Sequence, residues 1–166
     1  TPTLVDVVPA EGVDANRLLH VAASVEQHSE HPLASAIVTG ARVRGTALSE
    51  PEDLRAVPGR GVVAVLAGRR VVLGTPELLT EQSVPLAALE AQRATLEVEG
   101  KTVVAVAEEG AALGLLGVSD RLKSDAGTIV AALARSGLEV WMVTGDNALT
   151  AHAVAREAGI APERVR

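Results

Sequence analysis

Four runs of β-branched and small apolar residues constrain this chain most: VVAVLA at 62–67, VVLG at 71–74, TVVAVA at 102–107 and ALGLLGV at 112–118. The first two flank Gly68-Arg69 and the last two flank Glu109-Gly110, the short connections of hairpins. Strands joined so tightly pair antiparallel, because a parallel return needs a crossover of about a dozen residues or more. A further short strand is read at 4–8 and a turn at 58–61. Helices must cover such a sheet. Asp14 is placed to N-cap one that carries Leu18, Leu19 and Ala22 and ends near His28. Pro32 suits the first turn of a second, with Leu33, Ile37 and Ala41 on one face. Residues 85–98 repeat Leu86, Leu89, Arg93 and Leu96 at helical spacing, with Gly100 as the stop.

From about Val118 the rhythm changes. A helix at 123–136 is stopped by Gly137, LEVWMV at 138–143 reads as a strand, and a helix at 147–158 is stopped by Gly159. Alternation of this kind predicts a parallel unit with a right-handed crossover. The fold class expected is therefore α/β in composite form: a mainly antiparallel sheet flanked by helices over 1–117, then a partial parallel β-α unit over 118–166.

Composition removes several functions. Trp141 is the only aromatic residue, which leaves no platform for stacking nucleic-acid bases, and a formal net charge of -6 disfavours a polyanion. No nucleic-acid partner is expected. No run approaches the roughly 18 apolar residues that cross a bilayer, so no direct membrane insertion is expected of this stretch either. With no cysteine, thiolate metal sites are excluded and only His20, His28, His31 and His152 offer nitrogen ligands. No metal site is assigned.

Two motifs mislead. Gly59 to Ala64 formally spell G-x-G-x-x-A, but a strand follows where a dinucleotide site needs a helix N-terminus. Gly100-Lys101-Thr102 resembles the end of a phosphate-binding loop, yet its order is helix then strand, the reverse of the required one.

Ser-Glu-His-Pro-Leu at 29–33, with Glu26 five residues before His31, is a more informative constellation. A carboxylate can accept a hydrogen bond from the exocyclic amine of adenine, and an imidazole offers a flat face and two nitrogens. Gly59 and Gly61, lacking Cβ, let backbone come close to a ribose or phosphate. Taken singly, each element has a plain structural use: a cap, a turn, a solvated carboxylate.

In order and spacing, Ser-Glu-His-Pro-Leu, Pro-Gly-x-Gly at 58–61, Val-Leu-Gly before a helix, and Thr-Gly-Asp-Asn at 144–147 resemble the heavy-metal P-type ATPases. The resemblance implies an ATP-binding domain inserted into a phosphorylation domain of haloacid-dehalogenase type. It implies that Glu26, His31, Gly59, Gly61, Val62 and Gly74 line the ATP pocket. Thr75 stands where many relatives have Asn, so its share in that contact is reduced. Thr144 and Asp146 are implied to lie at the transferring phosphoryl group, with Asn147 beside them; residues 140–143 become a buried parallel strand, and Asp120 and Lys123 fall near the hinge. The implied cofactors are ATP and the Mg2+ that accompanies it. The implied partners are ATP and the remaining phosphorylation, actuator and transmembrane domains of a cation-exporting pump, copper being the metal expected. On this reading the chain is a cytosolic domain of a cell-membrane protein. The family's phosphorylated aspartate would precede Thr1 and its magnesium segment would follow Arg166, so binding without turnover is expected. A free-standing phosphatase lacks its Asp-x-Asp nucleophile here. A regulatory metal site using Glu26, His28, Glu30 and His31 is interrupted by Pro32.

Overall fold

The computed structural model describes residues 2–120, 126–144 and 148–166. Six strands form one sheet in the order β1-β6-β5-β4-β3-β2, with every neighbouring pair antiparallel. They are β1 (Pro2–Pro9), β2 (Glu52–Val57), β3 (Gly61–Leu66), β4 (Arg69–Gly74), β5 (Thr102–Glu108) and β6 (Ala111–Asp120). Helices α1 (Ala15–Glu26) and α2 (Pro32–Val43) cover one face, whereas α3 (Pro76–Glu81) and α4 (Glu90–Val98) cover the other. The remaining helices are α5 (Ala126–Arg135) and α6 (Ala148–Ala158).

Strand alternation explains the two layers. Val62, Ala64 and Leu66 of β3 and Val104 and Val106 of β5 join Leu18, Leu19, Val21 and Ile37 in one core. Val103, Ala105 and Ala107 point the other way and meet Leu78, Leu79, Leu89 and Leu96. Each fully buried leucine or valine contributes about 1.5 to 3 kcal/mol relative to exposure, which lets this core form without aromatics.

Both hairpins are present, with one shifted. The β5–β6 turn is Glu109-Gly110, as expected, with φ of 50° and 77°. The β3–β4 turn is Ala67-Gly68, at 51° and 73°, one residue earlier than the expected Gly68-Arg69. A two-residue turn with both φ positive places its glycine second most readily, and that choice fixes the register. The 85–98 helix divides into a 3-10 turn, Ala87–Leu89, and α4.

Strand β2 has no counterpart in the sequence reading. It is an edge strand, all of whose side chains except Val57 are exposed, so no apolar alternation marks it. Asp53, at φ 46°, coincides with a break in the β2–β3 register between Glu52 and Arg55. Charge at an edge of this kind discourages pairing with other chains.

The expected buried parallel strand at 140–143 is corrected. The segment makes a single parallel bridge, Met142 to Val165, with the Thr144 N–H donating to the Arg166 carbonyl at 3.0 Å. Val143 is 81% exposed and Trp141 46%. A parallel strand is buried only when partners flank it and helices cover both its faces; neither condition is met among the described residues. Arg166 lies over the Trp141 ring at 4.6 Å instead. Helix α5 has no buried residue and keeps Ile129 and Leu133 exposed. Amide exchange is therefore expected to be faster at 126–135 and 140–143 than at 103–106 in the same sample, because local openings expose little apolar surface there. Equal protection of the two regions in dilute solution would contradict this.

Candidate functional site

The structure joins the predicted residues into two pairs. The first is at the corner between α1 and α2. Glu26 ends α1, and two turn residues, Ser29 and Glu30 lead to His31, the N-cap of α2. The His31 Nδ1 accepts the Leu33 N–H at 3.2 Å. Capping engages Nδ1, which leaves Nε2 and the ring face for other contacts. Glu26 is half-buried; burial raises its carboxyl above the ordinary carboxylate range, partly offset by a hydrogen bond from Ser29 and by the nearby His31. A desolvated carboxyl beside an imidazole edge suits a ligand that supplies hydrogen-bond donors.

The second pair is the glycine end of β3 and β4. Gly61 and Gly74 are register partners, and the Thr75 N–H donates to the Arg60 carbonyl at 2.7 Å. A Cβ on Gly61 would lie 2.1 Å from the Leu73 carbonyl oxygen, and one on Gly74 2.1 Å from that of Arg60. Both have positive φ, 149° and 157°. These glycines are thus required by each other's backbone, whatever else approaches them. Gly59, at φ 70°, is the glycine of the turn closed by Arg60 N–H to the Val57 carbonyl at 3.0 Å, and a Cβ there would meet nothing within 4 Å. Pro58 before it completes the sequence signature of a type II turn. The Arg60 guanidinium pairs with Glu81 of α3.

Val62, next to Gly61, is buried in the same core as Val25, next to Glu26, and Leu33, close to His31, packs against that core. Gly61 itself faces the other layer, where a Cβ would lie 2.9 Å from Leu78 Cδ2. Thr75 caps α3 by accepting the Leu78 N–H at 3.3 Å, which engages its hydroxyl. Thr144 is half-buried beside the C-terminal residues. Asp146, Asn147 and Lys123 lie outside the described residues, and Asp120 ends β6. None of the predicted residues lines the open cavity of about 410 Å³ bounded by Asn16, Arg17, His20, Arg44 and Thr46. Among the described residues no group of three or more His, Asp or Glu is placed to hold a metal ion. His28 instead donates from Nε2 to Glu50 at 2.6 Å.

The description "haloacid dehalogenase-like hydrolase" belongs to the family model that matches residues 1–164. The chain is 41% identical over 160 residues to the copper-exporting P-type ATPase of Bacillus subtilis, covering 96% of this chain and 20% of that protein. Its fold matches a zinc-transporting PIB-type ATPase in the E2.Pi state with TM-score 0.83 and 34% identity, over 100% of this chain and 26% of the other. The chain belongs to the haloacid dehalogenase-like hydrolases, in their heavy-metal P-type ATPase branch. It spans about a fifth of the curated relatives' length. The N-domain of HMA6, a copper-transporting P-type ATPase, aligns with TM-score 0.60 and 27% identity over 71% of this chain and 98% of its own.

Within this P-type ATPase domain, two further features escaped the sequence reading. Glu108, only 7% exposed, is held by Arg17 of α1 and Arg69 of β4. Partners separated this widely in sequence leave no local signal. Ser24, Gln27 and His28 of the α1 end bind the segment before β2; their common helical stripe, continuing from His20, is legible once the loop is known to lie on it.

Substitution of Gly61 by Ala or Val is expected to destabilise the domain by about 2 kcal/mol or more, from the backbone clash and the positive φ together. Gly59→Ala should cost about 1 kcal/mol. Thermal melts of the three variants check the order.

Glu26 gives a pH-dependent expectation. Its folded-state pKa is raised, so its contribution to stability is fully present below the ordinary carboxylate pKa and is lost as pH rises through the higher folded value. Glu26→Gln should therefore raise the melting temperature at neutral pH, and the gain should vanish on acidification through the carboxylate range. A Gln variant less stable than wild type at pH 7 would contradict the desolvation of Glu26.

Proposed function

We propose that this domain binds ATP at the α1–α2 corner and supplies it for phosphorylation of an aspartate elsewhere in a heavy-metal-exporting pump. The observation that carries the reading is the desolvated Glu26 carboxyl next to His31, on a fold shared with a dedicated N-domain. Ionised Glu26 accepts the adenine amine, and the Nε2 and ring face of His31 contact the base. The Gly59 turn and the tight Gly61–Gly74 backbone form the facing wall, with Val62 beneath it. Phosphates then extend toward residues 118–166, read as the partial phosphorylation domain, where Thr144 and Asp146 are assigned to the phosphoryl group. Mg2+ arrives with the nucleotide phosphates.

Copper as the exported metal is supported by the Bacillus subtilis relative and the HMA6 neighbour. Placement of the domain on the cytosolic side of a cell membrane is supported by the same kinship; among the described residues no helix is long and apolar enough to cross a bilayer. The actuator, transmembrane and remaining phosphorylation segments of the pump are the partners.

Titration with Mg2+-ATP, followed by amide shifts, tests the site. His31→Ala should weaken binding by about 1 to 2 kcal/mol, through a lost hydrogen-bond partner and lost ring contact. Glu26→Gln should weaken it similarly, and wild-type affinity should fall as pH drops through the raised Glu26 titration. His152→Ala, exposed on α6, is the neutral control. No acid-stable phosphoprotein should form, because the chain contains no Asp-Lys-Thr-Gly-Thr. Equal affinity in wild type and His31→Ala, with shifts mapping away from Glu26 and Gly59, would refute the assignment.

A further inference from the structure

The segment between α2 and β2 is tied along α1 by four side chains. The His20 Nδ1–H donates to the Ala47 carbonyl at 2.8 Å. The Ser24 Oγ accepts the Ser49 N–H at 3.0 Å. The Gln27 amide nitrogen donates to the carbonyls of Ser24 and Ser49, at 3.0 and 2.7 Å. His28 meets Glu50. Residues 20, 24, 27 and 28 share one stripe of the helix, and their partners advance in step from 47 to 50.

Three of the four anchors bracket Glu26. Ser24 precedes it by two residues, and Gln27 and His28 follow it. The last carbonyls of a helix lack intrahelical partners and fray unless something caps them. Gln27 supplies such a cap to the Ser24 carbonyl and at the same time joins it to the loop. Ser24 is fully buried, a position where a hydroxyl is costly unless paired. The His28–Glu50 pair is well exposed, so it contributes little energy by itself.

We propose that Ser24 and Gln27 are positioning residues that, through the 47–50 segment, hold the last turn of α1 so that the Glu26 carboxyl stays withdrawn from water and aimed at its ligand. Bound nucleotide is the ligand only if the ATP reading above holds; the holding of Glu26 does not depend on it. Of the titratable groups nearby, His31 at the start of α2 acts on Glu26, while His28 beyond α1 and Glu50 on the loop pair with each other.

The test compares Ser24→Ala, Gln27→Ala and Glu26→Gln, singly and with Glu26→Gln combined with each, in the whole chain. Two readouts are taken: Mg2+-ATP affinity, and the pH midpoint of the Glu26 side-chain carboxyl by NMR without nucleotide. Ser24→Ala and Gln27→Ala should each move that midpoint down toward the ordinary carboxylate value and weaken ATP binding about threefold to tenfold, the effect of one lost hydrogen bond. Neither should weaken it further in the Glu26→Gln background. Variants with lower melting temperatures but an unmoved midpoint and wild-type ATP affinity would overturn the proposal. If Glu26→Gln leaves ATP affinity unchanged, the nucleotide reading of Glu26 fails, and the midpoint alone decides: a shift supports the positioning role and no shift overturns it. Gln27 lies near the surface, so its variant keeps the test open should Ser24→Ala fail to fold.

Discussion

The central strands β4, β5 and β6 bury side chains on both faces, so α1 with α2 must cover one side and α3 with α4 the other. Every other feature inherits its place from that two-sided burial. Because β6 pairs with β1 as well as β5, the start of the chain is fixed beside residues more than a hundred positions away. Lys101 then reaches Asp6 at 2.7 Å and also pairs with Glu99, joining the end of α4 to β1. The alanine and valine content makes thin layers, so backbones approach closely. Gly40 against Leu4, Gly114 against the Val8 carbonyl and Gly61 against Gly74 are places where a Cβ has no room.

That closeness changes what the site glycines mean. A Gly-x-Gly motif invites a reading in which ligand needs the space, yet the first demand at Gly61 and Gly74 comes from the neighbouring strand. The same economy holds at His31 and Thr75, each followed by proline and each capping a helix with its side chain. Ligand chemistry at these positions uses only the atoms that capping leaves over. For His31 that is Nε2 and the ring face; for Thr75 it is little. Glu26 differs, because its hydrogen bond and the nearby imidazole only partly offset its burial.

The two parts of the chain differ in how far they satisfy themselves. Through β6 the sheet is covered on both sides, while α5 buries nothing and 140–143 lie largely open. Within α6, Ala151, Ala155 and Ala158 are buried, which gives that helix an inner face that α5 lacks. A short parallel pairing with residues 164–166 ties down the 142–144 segment.

Local chemistry alone determined the hairpins, the Asp14 cap, the proline-led starts of α2 and the stops at Gly100, Gly137 and Gly159, because each depends on residues within a few positions of one another. The corner carrying Glu26 and His31 was legible for the same reason: a helix end, a short turn and a helix start are contiguous. Strand β2 was not, since an exposed edge strand needs only a partner's ladder and leaves no apolar period. The expected strand at 138–143 had the right composition, but burial depends on neighbours that composition cannot supply. The Glu108 arginine pair, the anchoring of residues 47–50 on α1, and the mutual fit of Gly61 and Gly74 were decided by tertiary structure, because each is a contact between segments whose separation in sequence carries no information about their distance in space.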